Sequence, residues 1–374
     1  MKRVVVIGGD HHNTLGVIRS LGRTGICPDV IVVSKDGKSF VGKSKYIHTF
    51  RVVNYDNEIT PCLNREFVNF ESKAIVICCS DGASSEVDLH SESLNRFFIL
   101  PGSSEEGRIS KLMNKKTMAE MAVACGLSVP QTFYPQKFPI KNEEVSFPCI
   151  IKPLVSKNGT KEDIHICDDI EKLNSLIGSI GVENLLIQQF IDKDYEYQLM
   201  GCSTGDDIII PGVSHILRPC KGSNTSFLYY ERLNTEIYPL EQCKSFVRQT
   251  GYRGLFSIEF LRDKTGKDYF MEINFRNDGN SICVTESGVN LPYIWYLYCC
   301  GENYKDECNH PITPKYVMPD SAELRLLLTK QINIFQYLSD LFKTDHFMEF
   351  DWKDLRPFLE MIRMKSKYLW KKSI

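Results

Sequence analysis

No two of the fourteen cysteines in this chain stand at a C-x-x-C spacing. Neither a zinc ribbon nor a dithiol redox motif is therefore indicated. Cys78-Cys79 and Cys299-Cys300 are adjacent pairs, and most of the others lie in apolar stretches such as residues 75–79 and 148–151. That is the usage of a reduced protein in which cysteine serves as a small hydrophobe. Long apolar runs are missing too. Residues 294–300 form one of the longest, far below the ~20 residues of a membrane-spanning helix. Met1-Lys2-Arg3 is followed only by a short apolar run at residues 4–7, too little for the core of a secretory signal, so a cytoplasmic location is expected. Charge of one sign is absent: 45 Lys and Arg oppose 47 Asp and Glu, a formal net charge of −2. Such a balance gives no electrostatic case for binding nucleic acid. The first glycine-rich turn, Gly8-Gly9-Asp10-His11-His12-Asn13-Thr14-Leu15-Gly16, is not a G-x-G-x-x-G fingerprint, which ranks a nicotinamide oxidoreductase last among the candidate classes. Internal repeats and low-complexity linkers are also missing.

What is present is an ordinary globular composition over 374 residues, with 43% hydrophobic, 11% aromatic and 25% charged residues. At roughly 150 residues per domain this predicts two or three domains. In the first hundred residues short apolar runs at 3–7, 30–33, 74–79 and 97–100 alternate with helical patterns, the first carried by Leu15, Val17, Ile18 and Leu21. This alternation reads as a parallel sheet with crossover helices, a Rossmann-like α/β domain. Ligands bind such sheets at the carboxyl ends of the strands, so Gly9, Asp10 and Asn13 in the first turn are candidate substrate contacts. The alternative is a tight turn with polar caps. Further on, a helix is expected over 110–125, closed by Gly126 and Pro130. Strands are expected at 149–152, 164–167 and 185–191, and a helix at 168–180. A strand-rich stretch follows from 195 to 275, broken by a helix near 239–250, and the last sixty residues read as helical.

The most informative stretch is 254–280. Leu255-Phe256-Ser257-Ile258-Glu259-Phe260-Leu261-Arg262 and Tyr269-Phe270-Met271-Glu272-Ile273-Asn274-Phe275 alternate as half-buried strands around a polar turn that contains Gly266. Pairing Asp263 with Asp268 sets Phe260 opposite Met271, Ile258 opposite Ile273 and Phe256 opposite Phe275, all apolar. The other face then sets Glu259 opposite Glu272 and Ser257 opposite Asn274. Opposed residues have Cβ atoms about 4.5–5.5 Å apart. Two carboxylates at that distance repel unless one is protonated or a cation lies between them. Glu259 and Glu272, with the side-chain oxygen of Asn274, are hard oxygen donors suited to Mg²⁺. The alternative is a solvated acidic face.

Glu272-Ile273-Asn274-Phe275-Arg276 resembles the E-x-N-x-R motif of the ATP-grasp superfamily, with Glu259 as the upstream metal carboxylate. Asn114-Lys115 and the exit Gly126-Leu127-Ser128-Val129-Pro130-Gln131-Thr132 resemble the family's lysine-bearing helix. Phe147-Pro148-Cys149-Ile150-Ile151-Lys152-Pro153 resembles its second lysine strand, and Leu186-Ile187-Gln188-Gln189-Phe190-Ile191 its hinge strand. The resemblance covers about residues 1–300. It implies a Rossmann-like domain (1–100), an ATP-grasp small lobe (101–186), a C-terminal lobe with the metal site (187–312) and a helical basic tail (313–374), an α/β and α+β architecture.

The resemblance also implies roles. Lys115 and Lys152 would hold the ATP phosphates, Gln188, Gln189, Phe190 and Ile191 would present backbone groups to adenine, and Glu196 would bind the ribose. Glu259, Glu272 and Asn274 would hold one or two Mg²⁺ ions, and Arg276 would stabilise the transferred phosphoryl group. The polar loop 156–161 would close over the phosphates; it has only Gly159, so Lys157 stands in for backbone donors. Arg218 and Lys221 are candidates for the acceptor carboxylate, weighed against an ordinary surface loop, and Asn277 would line the acceptor site.

The implied reaction is ATP-dependent joining of a carboxylate and an amine through an acyl phosphate. The branch resembled is the carbamoyl-phosphate-synthase-like and D-aspartate-ligase-like one, whose members act on amino acids, peptides or cell-envelope precursors. The competing readings are a nucleotide-binding regulatory protein without turnover and a biotin-carboxylase-like subunit. Expected partners are small-molecule carboxylate and amine substrates, with a homodimer left open. Residues 353–374 carry seven Lys and Arg against two Asp and Glu. Such a segment fits either a helix packed on the domain or a peripheral contact with an anionic membrane.

Overall fold

The computed structural model describes residues 1–69, 71–153, 165–180, 185–218 and 227–372. The loop 156–161 with Lys157, and Lys221, lie outside the described residues. Five strands, β1 (Val4–Gly9), β2 (Asp29–Val33), β3 (Phe50–Val53), β4 (Ala74–Cys78) and β5 (Phe98–Ile99), form a parallel sheet in the order β3-β2-β1-β4-β5. β1, β2 and β4 are near-continuous Val and Ile because both their faces are covered, as parallel strands require. β3 escaped the sequence reading. It has four residues, one of them Arg51, and pairs only at the sheet edge.

A second sheet is antiparallel, in the order β6 (Thr132–Phe133), β9 (Leu185–Gln189), β7 (Cys149–Pro153), β8 (His165–Cys167). The helix Ile170–Ile180 covers it, burying Leu173 and Ile177 one turn apart. The helix expected over 110–125 is two helices, Arg108–Leu112 and Lys115–Ala124. The break is chemical: the Asn114 side chain accepts the N–H groups of Lys116 and Thr117 at 3.0 and 3.3 Å, an N-cap that starts a new helix at Lys115.

The third sheet has eight strands. β10 (Lys193–Ser203) is its spine, flanked by β12 (Gly212–Arg218) and β14 (Gly254–Asp263), with β11 (Ile208–Ile209) folded back on it. β13 (Phe227–Arg232), β15 (Asp268–Asn274), β16 (Lys315–Met318) and β17 (His346–Phe347) complete the order β15-β14-β10-β12-β13-β16-β17. The last sixty residues are therefore not wholly helical, because β16 and β17 extend this sheet.

The β14–β15 hairpin corrects the expected register. Ser257 pairs with Asn274, Ile258 with Ile273 and Glu259 with Glu272, but Phe260 then faces Phe270 and Arg262 faces Asp268. Met271 is the extra residue of a β-bulge. The bulge keeps Phe270 in the core, 2% exposed, where the ring of Phe260 meets it edge-on at 5.9 Å.

One hydrophobic core links the parallel sheet to the eight-stranded one, running from Val4, Val6 and Val30 through Trp295 to Met200 and Leu228. Met361 of the C-terminal helix Arg356–Lys372 joins it. A polar clamp lies beside it. Arg19 is 0% exposed and donates to Met348 O, Glu349 O, Asp354 O and the Asp354 carboxylate at 3.0–3.2 Å. No helix among the described residues is long and apolar enough to cross a membrane. Arg19→Leu leaves the buried Asp354 carboxylate without its cation and should cost about 3–5 kcal/mol, read as a drop in the urea midpoint of the full chain. An unchanged midpoint would show that the clamp contributes nothing.

Candidate active site

Lys115, Lys152 and Glu272 reach one place from three elements. Lys115 opens its helix behind the Asn114 cap, Lys152 lies on β7, and Glu272 follows the bulge in β15. Burial lowers the pKa of Lys115, with Glu272 partly restoring it. Burial also lowers Lys152, to about 8, with Lys115 pushing it further down and Glu272 pulling it up. Two half-buried ammonium groups near one carboxylate make a site short of anionic charge, the situation a polyphosphate relieves.

Beside them lies a small pocket, partly open to solvent, lined by Ala119, Val129, Tyr134, Leu186, Phe270 and Met271 together with Lys115, Lys152, Thr132 and Gln188. The bulge is what brings Met271 into this wall while Phe270 stays in the core. Of the hinge segment expected to meet adenine, Gln188 lines the pocket. The N–H of Gln189 is donated to Gln131 O at 2.8 Å and that of Phe190 to Pro148 O at 3.1 Å. Those two N–H groups are therefore committed within the fold. Ile191 is buried, 8% exposed. Glu196 stands near the start of β10 in an ion pair with Lys193.

Glu259 lies directly opposite Glu272. Its carboxylate accepts from Gln198 Nε2 at 3.3 Å and Asn274 Nδ2 at 3.2 Å. Asn274 Oδ1 in turn accepts from Arg276 Nη2 at 3.3 Å. Arg276 also donates to Asp81 at 2.7 Å and to Asp278 at 3.3 Å, which hold its pKa above the ordinary value against the opposing effect of burial. Among the described residues no group of three or more His, Cys, Asp or Glu side chains is arranged so that it could hold a metal ion by itself. The donor set of Glu259, Glu272 and the Asn274 amide oxygen is all hard oxygen and fits Mg²⁺ completed by substrate phosphates.

Several expected substrate contacts are committed elsewhere. Arg218 is held by Glu323 and Asp340, so it ties β12 to the C-terminal segment instead of meeting an acceptor. The Asp10 carboxylate accepts from Ser39 Oγ at 2.6 Å and from the N–H groups of Phe40 and Val41 at 3.2 and 3.1 Å, capping a turn. Asn13 and Asn277 saturate each other: Asn277 Nδ2 donates to Asn13 Oδ1 at 2.5 Å, and Asn13 Nδ2 to Asn277 O at 2.9 Å and Cys79 O at 2.8 Å. Both are buried, and they bind the first turn to the loop after β15. The Gly9 carbonyl accepts from Thr14 Oγ1 at 2.8 Å. The sequence reading missed Met271, Tyr134 and Gln198, none of which stands in a motif.

Residues 111–294 match the family described as carbamoyl-phosphate synthase L chain, ATP binding domain. That match spans a little under half of the chain. The chain is 25% identical to the formate-dependent phosphoribosylglycinamide formyltransferase of a Nitratiruptor species, over 53% of this chain and 56% of that protein. It is 24% identical to the D-aspartate ligase of Enterococcus faecium, over 59% and 57%. The chain thus spans a little over half the length of these curated relatives. The fold is similar to that of an L-amino acid ligase from Bacillus licheniformis, with a TM-score of 0.62 at 17% identity over 85% of this chain and 80% of that one.

The lowered pKa of Lys152 gives a testable sign. A bound phosphate favours the ammonium form, so binding above about pH 8 must take up a proton and affinity falls with rising pH, by up to tenfold per unit. A guanidinium stays charged throughout. Titration calorimetry with Mg-ADP from pH 7 to 9.5 should show this fall in the wild type and a flatter profile in Lys152→Arg. Equal slopes would remove Lys152 from the phosphate site.

Proposed function

We propose that the chain is an ATP-dependent carboxylate–amine ligase. The observation that carries this reading is the convergence of Lys115 and Lys152, which line the pocket, on Glu272, with Glu259 opposite it in the hairpin. In this reading residues 1–100 are a Rossmann-like domain, 101–186 and 187–312 are the two lobes around ATP, and 313–374 close the molecule. Glu259, Glu272 and Asn274 would hold Mg²⁺, which when bound neutralises charge between the β- and γ-phosphates.

Lys115 and Lys152 orient the phosphates. An oxygen of the acceptor carboxylate attacks the γ-phosphorus and the bond to ADP breaks, giving an acyl phosphate. The free amine then attacks its carbonyl carbon. The C–O bond to phosphate breaks, the amide forms, and the amine's proton leaves with phosphate or solvent. Arg276 lies where charge develops. Catalysis of this kind is positioning and charge neutralisation, and needs no nucleophilic side chain. Among the named relatives the D-aspartate ligase supports an amino acid as the substrate class; a peptide or a cell-envelope precursor is the wider class that the motif resemblance implies.

The pocket wall supports adenine in particular. The Thr132 hydroxyl donates its one proton to Pro130 O at 3.0 Å, so it must accept from Gln188 Nε2 at 2.9 Å. That leaves the amide oxygen of Gln188, a residue of the pocket wall, buried and without a hydrogen-bond partner among the described residues. A buried acceptor matches the 6-amino group of adenine and opposes the 6-oxygen of guanine. Leaving it unmatched costs ~1–3 kcal/mol. Mg-ATP should therefore bind about 10- to 100-fold more tightly than Mg-GTP, and Gln188→Leu should erase most of that preference. Similar binding of both nucleotides by the wild type would reject the assignment.

Function itself is tested by ADP release and product mass spectrometry with Mg-ATP and pooled amino acids, dipeptides and sugar acids. Glu272→Gln should lose turnover by more than about 100-fold with the fold intact. Tight ATP binding without turnover on any substrate would favour a regulatory protein, and bicarbonate-dependent hydrolysis a carboxylase-like subunit.

A further inference from the structure

One row of side chains crosses three strands of the large sheet. Gln198 on β10 lies opposite Glu259 on β14, and Glu259 lies opposite Glu272 on β15. Glu259 therefore has a carboxylate on one side and an amide on the other. Gln198 Nε2 donates to Glu259 Oε1 at 3.3 Å, and Asn280 Nδ2 donates to Gln198 Oε1 at 2.8 Å. Gln198 is 6% and Asn280 1% exposed. The series is anchored at its far end by Asp278. That carboxylate accepts the N–H of Asn280 at 2.9 Å and the hydroxyl of Ser257, on β14, at 3.0 Å.

The series has a direction, and Glu259 sets it. A carboxylate only accepts. Gln198 must therefore turn its NH₂ toward Glu259 and its oxygen toward Asn280, and Asn280 must answer with its own NH₂. The acceptor left over is Asn280 Oδ1, which is buried and has no hydrogen-bond partner among the described residues. Reversing both amides would give that oxygen a donor in Gln198. It would also set the oxygen of Gln198 against the carboxylate of Glu259. The fold keeps the orphaned acceptor and spares the acid, although an unpaired buried acceptor is unfavourable. The same direction excludes Gln198 as a metal ligand, since its oxygen is given to Asn280.

We propose that Gln198 and Asn280 are positioning residues for the metal carboxylate, two amides in series that hold Glu259 in one orientation and thereby set a preference for Mg²⁺ over Ca²⁺. The proposal rests on the ligase reading, in which Glu259 holds Mg²⁺, and adds the residues that fix it. Glu259 Oε1 serves two amides, Gln198 and Asn274. Turning the carboxylate to give both oxygens to one ion would break those bonds. Mg²⁺ demands a near-octahedral set of ligands, whereas Ca²⁺ accepts more oxygens in looser, often bidentate geometry. A carboxylate tied on one oxygen suits the first ion and handicaps the second. Both amides are neutral, so they orient the acid without competing with the cation for its charge.

The test is ADP binding to the full chain by titration calorimetry in EDTA, in Mg²⁺ and in Ca²⁺. Gln198→Met keeps the length of the side chain and removes both of its hydrogen bonds. Affinity in EDTA, which reads the nucleotide pocket alone, should stay unchanged. Affinity in Mg²⁺ should fall about tenfold, and in Ca²⁺ by much less, so the ratio between the two cations narrows. Asn280→Leu should narrow it in the same direction. In the double variant it should add nothing to Gln198→Met, because it acts through Gln198. Should Gln198→Met lose ADP binding in EDTA, the ratio is read in Asn280→Leu. A merely structural role would lower all three affinities alike, and that result, an unchanged ratio, or additive effects in the double variant overturns the proposal. Wild-type ADP binding that is indifferent to both cations overturns the metal reading of Glu259 instead.

Discussion

Glu259 and Glu272 face each other across one hairpin, and two carboxylates so placed repel. They stay there because the opposite face of the same strands is core: Ile258 is 0% and Ile273 2% exposed. A slip of one residue would carry both acids into that core and both isoleucines into the cleft, so hydrophobic burial holds an unfavourable electrostatic pair in register. The surrounding polar groups follow from this constraint. Gln198 and Asn274 donate to Glu259, Arg276 holds Asn274, and Lys115 and Lys152 face Glu272. Each of these cations is itself hemmed in, which is why the lysines are depressed. The site in this form stores opposed charge that a phosphate and a hard cation together would balance.

The bulge at Met271 serves the same geometry. Strict alternation beyond Glu272 would have placed Met271 opposite Phe260, in the core. One extra residue keeps Phe270 there and sets Met271 against Lys115 and Gln188 in the pocket wall. Acid pair and pocket are thus consecutive features of a single strand, separated by one change of register, and a ligand that fills one is aligned with the other.

The periodicities that could be read in the sequence were those with a single cause. Alternation fixed the hairpin around Ile258 and Ile273, and continuous Val and Ile runs marked β1, β2 and β4. The bulge leaves no such mark, since its position depends on how Phe270 packs against Phe260 and Phe246. β3 was missed for want of length. The polar residues misassigned to substrate failed for another reason: Arg218, Asp10, Asn13 and Asn277 carry the right chemistry for ligands, but their partners lie elsewhere in the chain. Arg218 meets groups 105 and 122 residues away, and Asn13 meets one 264 away. A local pattern cannot reveal that a side chain is already satisfied.

Those same long-range bonds determine what the tail is. Read as composition, residues 353–374 are simply basic. In the fold, Asp354 turns inward to Arg19, and the preceding Asp351 to Arg23. Met361 sits in the core that Trp295 and Val4 share. The first turn is bonded to the loop after β15 through Asn13 and Asn277, and the helix that follows that turn is bonded to residues 348–354 through Arg19. Three stretches far apart in sequence are therefore held in one frame by buried bonds. A displacement of the C-terminal segment would have to break the Arg19 clamp first.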